Sequence, residues 1–293
     1  MKETLAWRKE FQVETLRDCF KQNQTKTKRK FKSKQKQQGQ QKHDYEGMEI
    51  SVGGGWTGKM TNPNKQQTLA AISTSSIKEE EEEDDCYDGE EKKDFADEGA
   101  TSAAEFRDIL REENAPGKIY VRGYDKGGRA VVYMRPGLEN TNNFINNMRH
   151  LVWNMEKAIA ATEKNGLSKI VFIIDYEGFS LLNAPPLSTA RYTLDLFQKH
   201  YPERCFRFYL THPPFIFRAS WSAIKGFVDP HTKEKINFCS GKKDIAWLVE
   251  ELGGNSSRIE AWVGGTNANL KPFCSDEYLA IPFEETYDEK MWK

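Results

Sequence analysis

The sequence predicts an α/β fold: an open, mostly parallel sheet with helices packed on it. Three observations predict it. The run "KIVFIID" (Lys169 to Asp175) is continuously apolar between its charged ends, as a strand covered on both faces must be. Phe144, Met148, Leu151, Val152, Met155, Ala158 and Ile159 recur at three- and four-residue steps, the spacing of an amphipathic helix. Strand-like and helix-like stretches then alternate as far as residue 252, the order that yields parallel strands joined by right-handed crossovers.

The elements follow in order. Residues 3–20 carry Leu5, Trp7, Phe11, Leu16 and Phe20, one or two helical turns of docking surface. Residues 21–42 hold nine Lys or Arg and no Asp or Glu, and residues 78–98 hold thirteen Asp or Glu against three Lys. Neither block buries enough apolar surface to offset ordering entropy, so 21–99 is expected to be a long disordered insert. The basic block adds weak attraction to anionic membranes, unless the acidic block neutralises it. "KIYVRGYDKGGRAVVYMRP" gives two short strands around a turn at Tyr124 to Gly128. The helix from Phe144 stops near Gly166. Leu187, Ala190, Leu194 and Phe197 mark another helix, "CFRFYL" a strand, Phe215 to Val228 a third helix, "KINFC" a strand, and "KKDIAWLVEEL" a helix.

Composition excludes several classes. Of 293 residues, 38% are hydrophobic, and the mean hydropathy of -0.76 is low for a globule. The shortfall lies in 21–99, which leaves roughly 190 ordered residues, enough for one core. A net charge of -1 carries no nucleic-acid signature. No apolar run approaches the ~20 residues that cross a bilayer, and "MKETLAWRKEF" lacks the apolar stretch of a secretory signal. Cys19, Cys86, Cys205, Cys239 and Cys274 are scattered without C-x-x-C, as reduced thiols of a cytosolic protein would be.

No catalytic constellation emerges. His43, His150, His200, His212 and His231 lack ligand spacing and are expected at surface or turn positions, so no metal site is expected. There is no nucleophile elbow and no strand-following dinucleotide fingerprint. "GGGWTGKM" (Gly53 to Met60) places Met60 where a phosphate loop needs a hydroxyl, and no strand or helix pattern flanks it. Cys205 is expected as a small core residue. The chain is therefore expected not to be an enzyme and to use no cofactor.

The remaining chemistry surrounds "YPERCFRFYLTHPPFIF" (Tyr201 to Phe217), where Pro213-Pro214 lead into three bulky apolar residues. In the helix that follows, Phe217, Trp221, Ile224 and Val228 make one apolar stripe and Ile216, Ala223 and Phe227 a second. Such a helix is either a core element or the wall of a cavity for an apolar ligand. Glu203 and Arg204 precede one strand, and Thr232 and Lys235 precede the next. Parallel strands start on one edge, so these groups either receive a phosphodiester there or are ordinary solvated charges.

Residues Gly117 to Gly265 resemble the CRAL-TRIO lipid-binding family, in its phosphatidylinositol-transfer branch. The resemblance rests on "GYDKGGRAVVYMRP", "VFIIDYEGFS", "YPERCFRFYLTHPPFIF", "WSAIKGFVDPHTKEKINF" and "WVGGT" in that order. Upstream, "ETLAWRKEF" is similar to the last helix of the small helical lobe preceding this fold. The resemblance implies a sheet flooring an apolar cavity for one lipid, closed by a helical gate. It implies that Phe215, Phe217, Trp221, Ile224, Phe227 and Val228 line the cavity and gate, with Gly226 and Asp229 as hinges. Glu203, Arg204, Thr232 and Lys235 would hold an inositol phosphate, and Asp175 and Gly178 form a structural strand-end turn. Family members that also take phosphatidylcholine place hydroxyls on the strand before that turn, where this chain has Ile170 and Phe172. Two departures stand out: the basic segment of the helical lobe, with its further phosphate-binding arginine, has no counterpart, and the insert widens the family spacing.

The resulting expectation divides the chain into a lobe remnant (1–20), the insert (21–99), a lipid-binding domain (100–283) and a C-terminal tail (284–293). It is a cytoplasmic, peripherally membrane-associated protein that binds and exchanges a phospholipid, foremost phosphatidylinositol, or presents it to a lipid-modifying enzyme. A lipid kinase or small GTPase is the implied protein partner. The alternatives are a carrier of a neutral hydrophobe of tocopherol or retinoid type, and a protein-interaction scaffold.

Overall fold

The structure, a computed structural model, describes residues 2–21, 101–180, 187–214, 226, 228, 230–256, 259–266 and 272–289. Apart from Lys21, the expected insert lies outside them, as does the expected helix from Phe215 to Val228 except Gly226 and Val228.

Among the described residues five strands pair in chain order: β1 (Ile119–Tyr124), β2 (Ala130–Met134), β3 (Ile170–Asp175), β4 (Cys205–Thr211) and β5 (Ile236–Cys239). β1 and β2 are antiparallel, and β2 through β5 are parallel. Asp125 closes the β1–β2 turn by accepting the backbone N–H of Gly127 at 2.9 Å and of Arg129 at 2.8 Å. The expected sheet and the strands named from sequence are the ones observed.

Helices α1 (Lys2–Glu10), α2 (Val13–Asp18), α3 (Ala103–Asn114) and α4 (Phe144–Glu163) pack together, and α4 packs on β1, β2 and β3. Further along lie α5 (Leu187–Asp195), which runs into one π-helical turn (Leu196–His200), and the short α6 (Pro230–Glu234). They are followed by α7 (Lys242–Glu251) and α8 (Ser275–Ala280). Helix α3 is not among the expected elements. It starts at a capping box: the Ser102 hydroxyl accepts the Glu105 N–H at 3.2 Å, and the Glu105 carboxylate accepts the Ser102 N–H at 2.6 Å.

Helix α4 departs from a simple amphipathic helix, because its polar residues are buried too. Glu156 is gripped by Arg8 at 2.6 Å, Arg17 at 3.4 Å and the Tyr201 hydroxyl at 2.8 Å. Asn154 accepts the Tyr278 hydroxyl at 2.6 Å. His150, expected at a surface or turn, is fully buried, with Nε2 2.9 Å from the Asn114 side-chain oxygen. Burial, aided by Lys118, holds its ring neutral, well below the ordinary histidine range. The reason is tertiary: α1–α3 and the C-terminal segment cover the face that periodicity assigns to solvent. That segment packs beyond the expected end of the domain at 283, since the Tyr287 N–H reaches the Val121 carbonyl at 2.9 Å and Thr286, Tyr287 and Glu289 are buried.

Lys157 is the most demanding of these groups. Its amine donates to the Pro282 carbonyl at 2.8 Å and lies 5.4–5.7 Å from the ring centres of Trp153, Tyr278 and Phe283. Burial pushes it down from 10.5 to about 7, against the pull of Glu284, Glu285 and Glu289. Between those two values the unfolded chain binds a proton that the folded one does not, so this group makes stability rise with pH there. Lys157→Met removes that slope. The unfolding free energy of the wild type relative to the variant is expected to climb by more than about 1 kcal/mol between roughly pH 7 and pH 9.5. Denaturant titrations at the two pH values check this, and a constant difference would contradict it.

The chain just after the 3-10 turn Ala261–Val263 is equally constrained. A β-carbon on Gly265 would lie 1.9 Å from the Ile259 carbonyl oxygen and 2.8 Å from that of Ser256, and both obstacles are backbone. Gly265→Ala is expected to destabilise the fold by about 1–3 kcal/mol, the ordinary cost of overpacking, read as a lowered melting temperature.

Candidate functional site

The starts of β3, β4 and β5 lie side by side. The Ile170 N–H donates to the Arg204 carbonyl at 2.8 Å, and the Phe208 N–H donates to the Lys235 carbonyl at 2.8 Å. These two bonds bring the residues just before each strand onto one edge. Glu203 sits in the turn Tyr201-Pro202-Glu203-Arg204, closed by the Arg204 N–H on the Tyr201 carbonyl at 3.2 Å. Its φ of 56° is left-handed, a conformation that costs a non-glycine residue about 1 kcal/mol or more. Proline at the second turn position and a positive φ at the third are the geometry of a type II turn.

Of the four expected headgroup residues, Glu203 and Lys235 meet, with the Lys235 amine 3.4 Å from Glu203 Oε2. Lys169, not named from sequence, completes the cluster at 2.8 Å from the same oxygen. It was legible by the same logic, since it immediately precedes β3. Lys169 and then Lys235 hold the Glu203 carboxyl below its ordinary range. Arg204 turns aside and donates to Glu163 at 3.0 Å and to the Ser168 carbonyl at 3.2 Å. Thr232 lies on α6, its carbonyl accepting the Lys235 N–H at 3.1 Å.

The apolar face begins beside this edge. Ile170 and Phe172 are fully buried, with the Phe172 ring stacked on Phe208 at 5.1 Å and edge-on to Phe197 at 5.3 Å. Neither carries a hydroxyl. Of the expected gate and hinge residues, Phe215, Phe217, Trp221, Ile224, Phe227 and Asp229 lie outside the described residues. Val228 is buried, and Gly226 is exposed.

At the opposite end of the strands, Asp175 is buried and accepts the Thr211 hydroxyl at 3.0 Å. His212 Nδ1 lies 2.7 Å from the same oxygen, and Arg135 lies 3.6 Å from the other. The aspartate thus ties β3 to the end of β4. Gly178, with φ 74°, turns the chain after it.

Burial raises the thiols of Cys19 to about 12 and of Cys239 to about 11, and raises that of Cys205 as well. Among the described residues no cluster of three or more His, Cys, Asp or Glu is placed to hold a metal ion. None of their helices is long and apolar enough to cross a membrane.

Because the pairs of Glu203, Arg204 and Lys235 are solvated, they contribute little to folding. Replacing any one of the three by Ala is expected to change the unfolding free energy by no more than about 0.5 kcal/mol. Chemical denaturation checks this. A larger loss would mean that the edge is a structural rivet.

Comparison with known proteins bears on this arrangement. Residues 114–257 match the CRAL/TRIO domain. The chain is 34% identical over 131 residues to a CRAL-TRIO domain-containing protein of Schizosaccharomyces pombe, covering 45% of this chain and 13% of that protein. It is 34% identical over 136 residues to the phosphatidylinositol transfer protein PDR17 of Saccharomyces cerevisiae, covering 45% and 39%. It is 31% identical over 148 residues to the SEC14 cytosolic factor of Kluyveromyces lactis, covering 45% and 49%. The chain thus spans less than half the length of each of these relatives. The crystal structure of Sfh5 overlays with a TM-score of 0.38 at 19% identity, covering 45% of this chain and 54% of that one.

Proposed function

Residues 114–257 being a CRAL/TRIO domain, we propose that this chain binds a single phospholipid, foremost phosphatidylinositol, and exchanges it between membranes or presents it to a lipid-modifying enzyme. The observation that carries this reading is the meeting of Glu203 and Lys235 on one sheet edge, beside the buried apolar pair Ile170 and Phe172. An anionic polyol headgroup needs both signs of partner. The Lys235 amine and the Thr232 hydroxyl donate to the phosphodiester, while the Glu203 carboxylate accepts from ring hydroxyls. Arg204 supports the site from the same turn. That Glu203 occupies a left-handed position where glycine would be less strained fits a side chain retained for what it binds.

The acyl chains lie on the apolar side of the sheet. Phe215, Phe217, Trp221, Ile224, Phe227 and Val228 form the wall and gate, and Gly226 and Asp229 are the hinges. Transfer then balances the bilayer interior against a protein interior, each worth ~0.8 kcal/mol per CH₂, so neither state traps the lipid. The chemistry is non-enzymatic and uses no cofactor. The protein acts from the cytoplasm at membrane surfaces, with a lipid kinase or a small GTPase as its protein partner. The lipid-binding unit runs from residue 100 through the buried C-terminal residues Thr286, Tyr287 and Glu289, with 1–20 as a counterpart of helical-lobe residues.

Headgroup choice follows from the strand beside the edge. Phosphatidylcholine would need hydroxyl donors where Ile170 and Phe172 stand. The protein is expected to move phosphatidylinositol between vesicles with little or no movement of phosphatidylcholine. Lys235→Ala is expected to slow phosphatidylinositol transfer at least about tenfold, since a hydrogen bond to a charged group contributes ~1.5–3 kcal/mol. Vesicle-to-vesicle transfer of labelled lipids tests both. Robust phosphatidylcholine exchange by the wild type, or undiminished phosphatidylinositol exchange by the variant, would overturn the assignment.

A further inference from the structure

Lys169 and Lys235 both reach Oε2 of Glu203, at 2.8 Å and 3.4 Å. They approach it from the two strands flanking β4. The Glu203 side chain is 68% exposed, and solvated ion pairs of this kind contribute little to stability. The arrangement therefore calls for another explanation, and electrostatics supplies one. A carboxylate beside a single lysine neutralises that lysine. Without Lys169, Glu203 would have only Lys235 within reach at this edge, because Arg204 is engaged by Glu163 and Ser168. The amine that meets a phosphodiester would then be occupied by the protein's own carboxylate. With Lys169 present, the shorter contact lies on the β3 side and the longer one on Lys235.

We infer that Lys169 is a positioning residue of the headgroup site: it draws the Glu203 carboxylate toward β3, so that Lys235 meets the phosphodiester while Glu203 accepts from ring hydroxyls. The inference rests on the phospholipid reading above and narrows its substrate class. Two lysines around one carboxylate leave a single positive charge. That matches a headgroup with one phosphodiester and a polyol ring. A zwitterionic headgroup brings no net negative charge to the edge, and a ring bearing further phosphates brings an excess.

The test uses the full chain and four variants: Lys169→Met, Lys169→Arg, Glu203→Gln, and the double variant K169M/E203Q. Binding is measured to vesicles doped with phosphatidylinositol or with phosphatidylmethanol, which has the same phosphodiester charge and no ring. Lys169→Met is expected to weaken phosphatidylinositol binding roughly tenfold, the scale of one charged hydrogen bond, and Lys169→Arg to restore most of it. Adding Glu203→Gln to Lys169→Met frees Lys235 again. The double variant should recover phosphodiester affinity while losing the preference for phosphatidylinositol over phosphatidylmethanol. A merely structural lysine would not be rescued by removing its partner. Unchanged binding by Lys169→Met, with wild-type binding intact, would overturn the role of Lys169 alone. A double variant no better than Lys169→Met would do the same. A wild type that binds neither lipid would overturn the phospholipid reading and this inference with it.

Discussion

Parallel pairing of β3, β4 and β5 is the constraint on which the rest depends. Parallel strands all begin on one edge and all end on the other. The residues before each strand therefore gather as Lys169, Glu203 with Arg204, and Lys235. The strand ends place Asp175 beside Thr211. The first group is solvated and charged. The second centres on the buried Asp175, whose one oxygen meets Thr211 and His212 while Arg135 lies 3.6 Å from the other. One edge thus carries charged side chains, and the other ties β3 to β4 just before the chain enters Pro213-Pro214.

A chemically open edge of this kind needs a rigid frame, and helix α4 provides it. Four of its buried polar residues have partners far away in sequence: Glu156 with Arg8 and Tyr201, His150 with Asn114, Asn154 with Tyr278, and Lys157 with Pro282. Removing one partner of a buried charge leaves the other exposed to the full cost of desolvation. These contacts therefore specify how α1, α2, α3 and the C-terminal segment dock. The edge where Glu203 and Lys235 meet carries an exposed carboxylate and ion pairs of the kind that contribute little to stability.

Local signals in the sequence carried the strands and the candidate edge. The apolar run from Ile170 to Ile174 and the turn around Asp125 identified their elements, because each depends on neighbours close in sequence. Parallel order placed Glu203, Arg204, Thr232 and Lys235 near one edge, and the resemblance to the CRAL-TRIO family singled them out as headgroup residues. Lys169 obeys the same rule but had no motif to draw attention to it. Helix α3 was legible in Ser102-x-x-Glu105 ahead of Phe106 and Leu110, a start signal that the acidic surroundings obscured. The burial of His150 and Lys157 was not legible, because it depends on segments more than thirty and more than a hundred residues away. Periodicity reports which face of a helix is apolar, and it is silent on whether other elements cover the polar one.

The central claim is that the fold carries one phospholipid as part of its working state. Native mass spectrometry of the full chain, purified from cells without added lipid, tests this most directly. The account predicts a single adduct of glycerophospholipid mass at one per chain, identified as phosphatidylinositol when the lipid is extracted and fragmented. A neutral sterol-like or isoprenoid adduct, or a chain with no adduct at all, would contradict it.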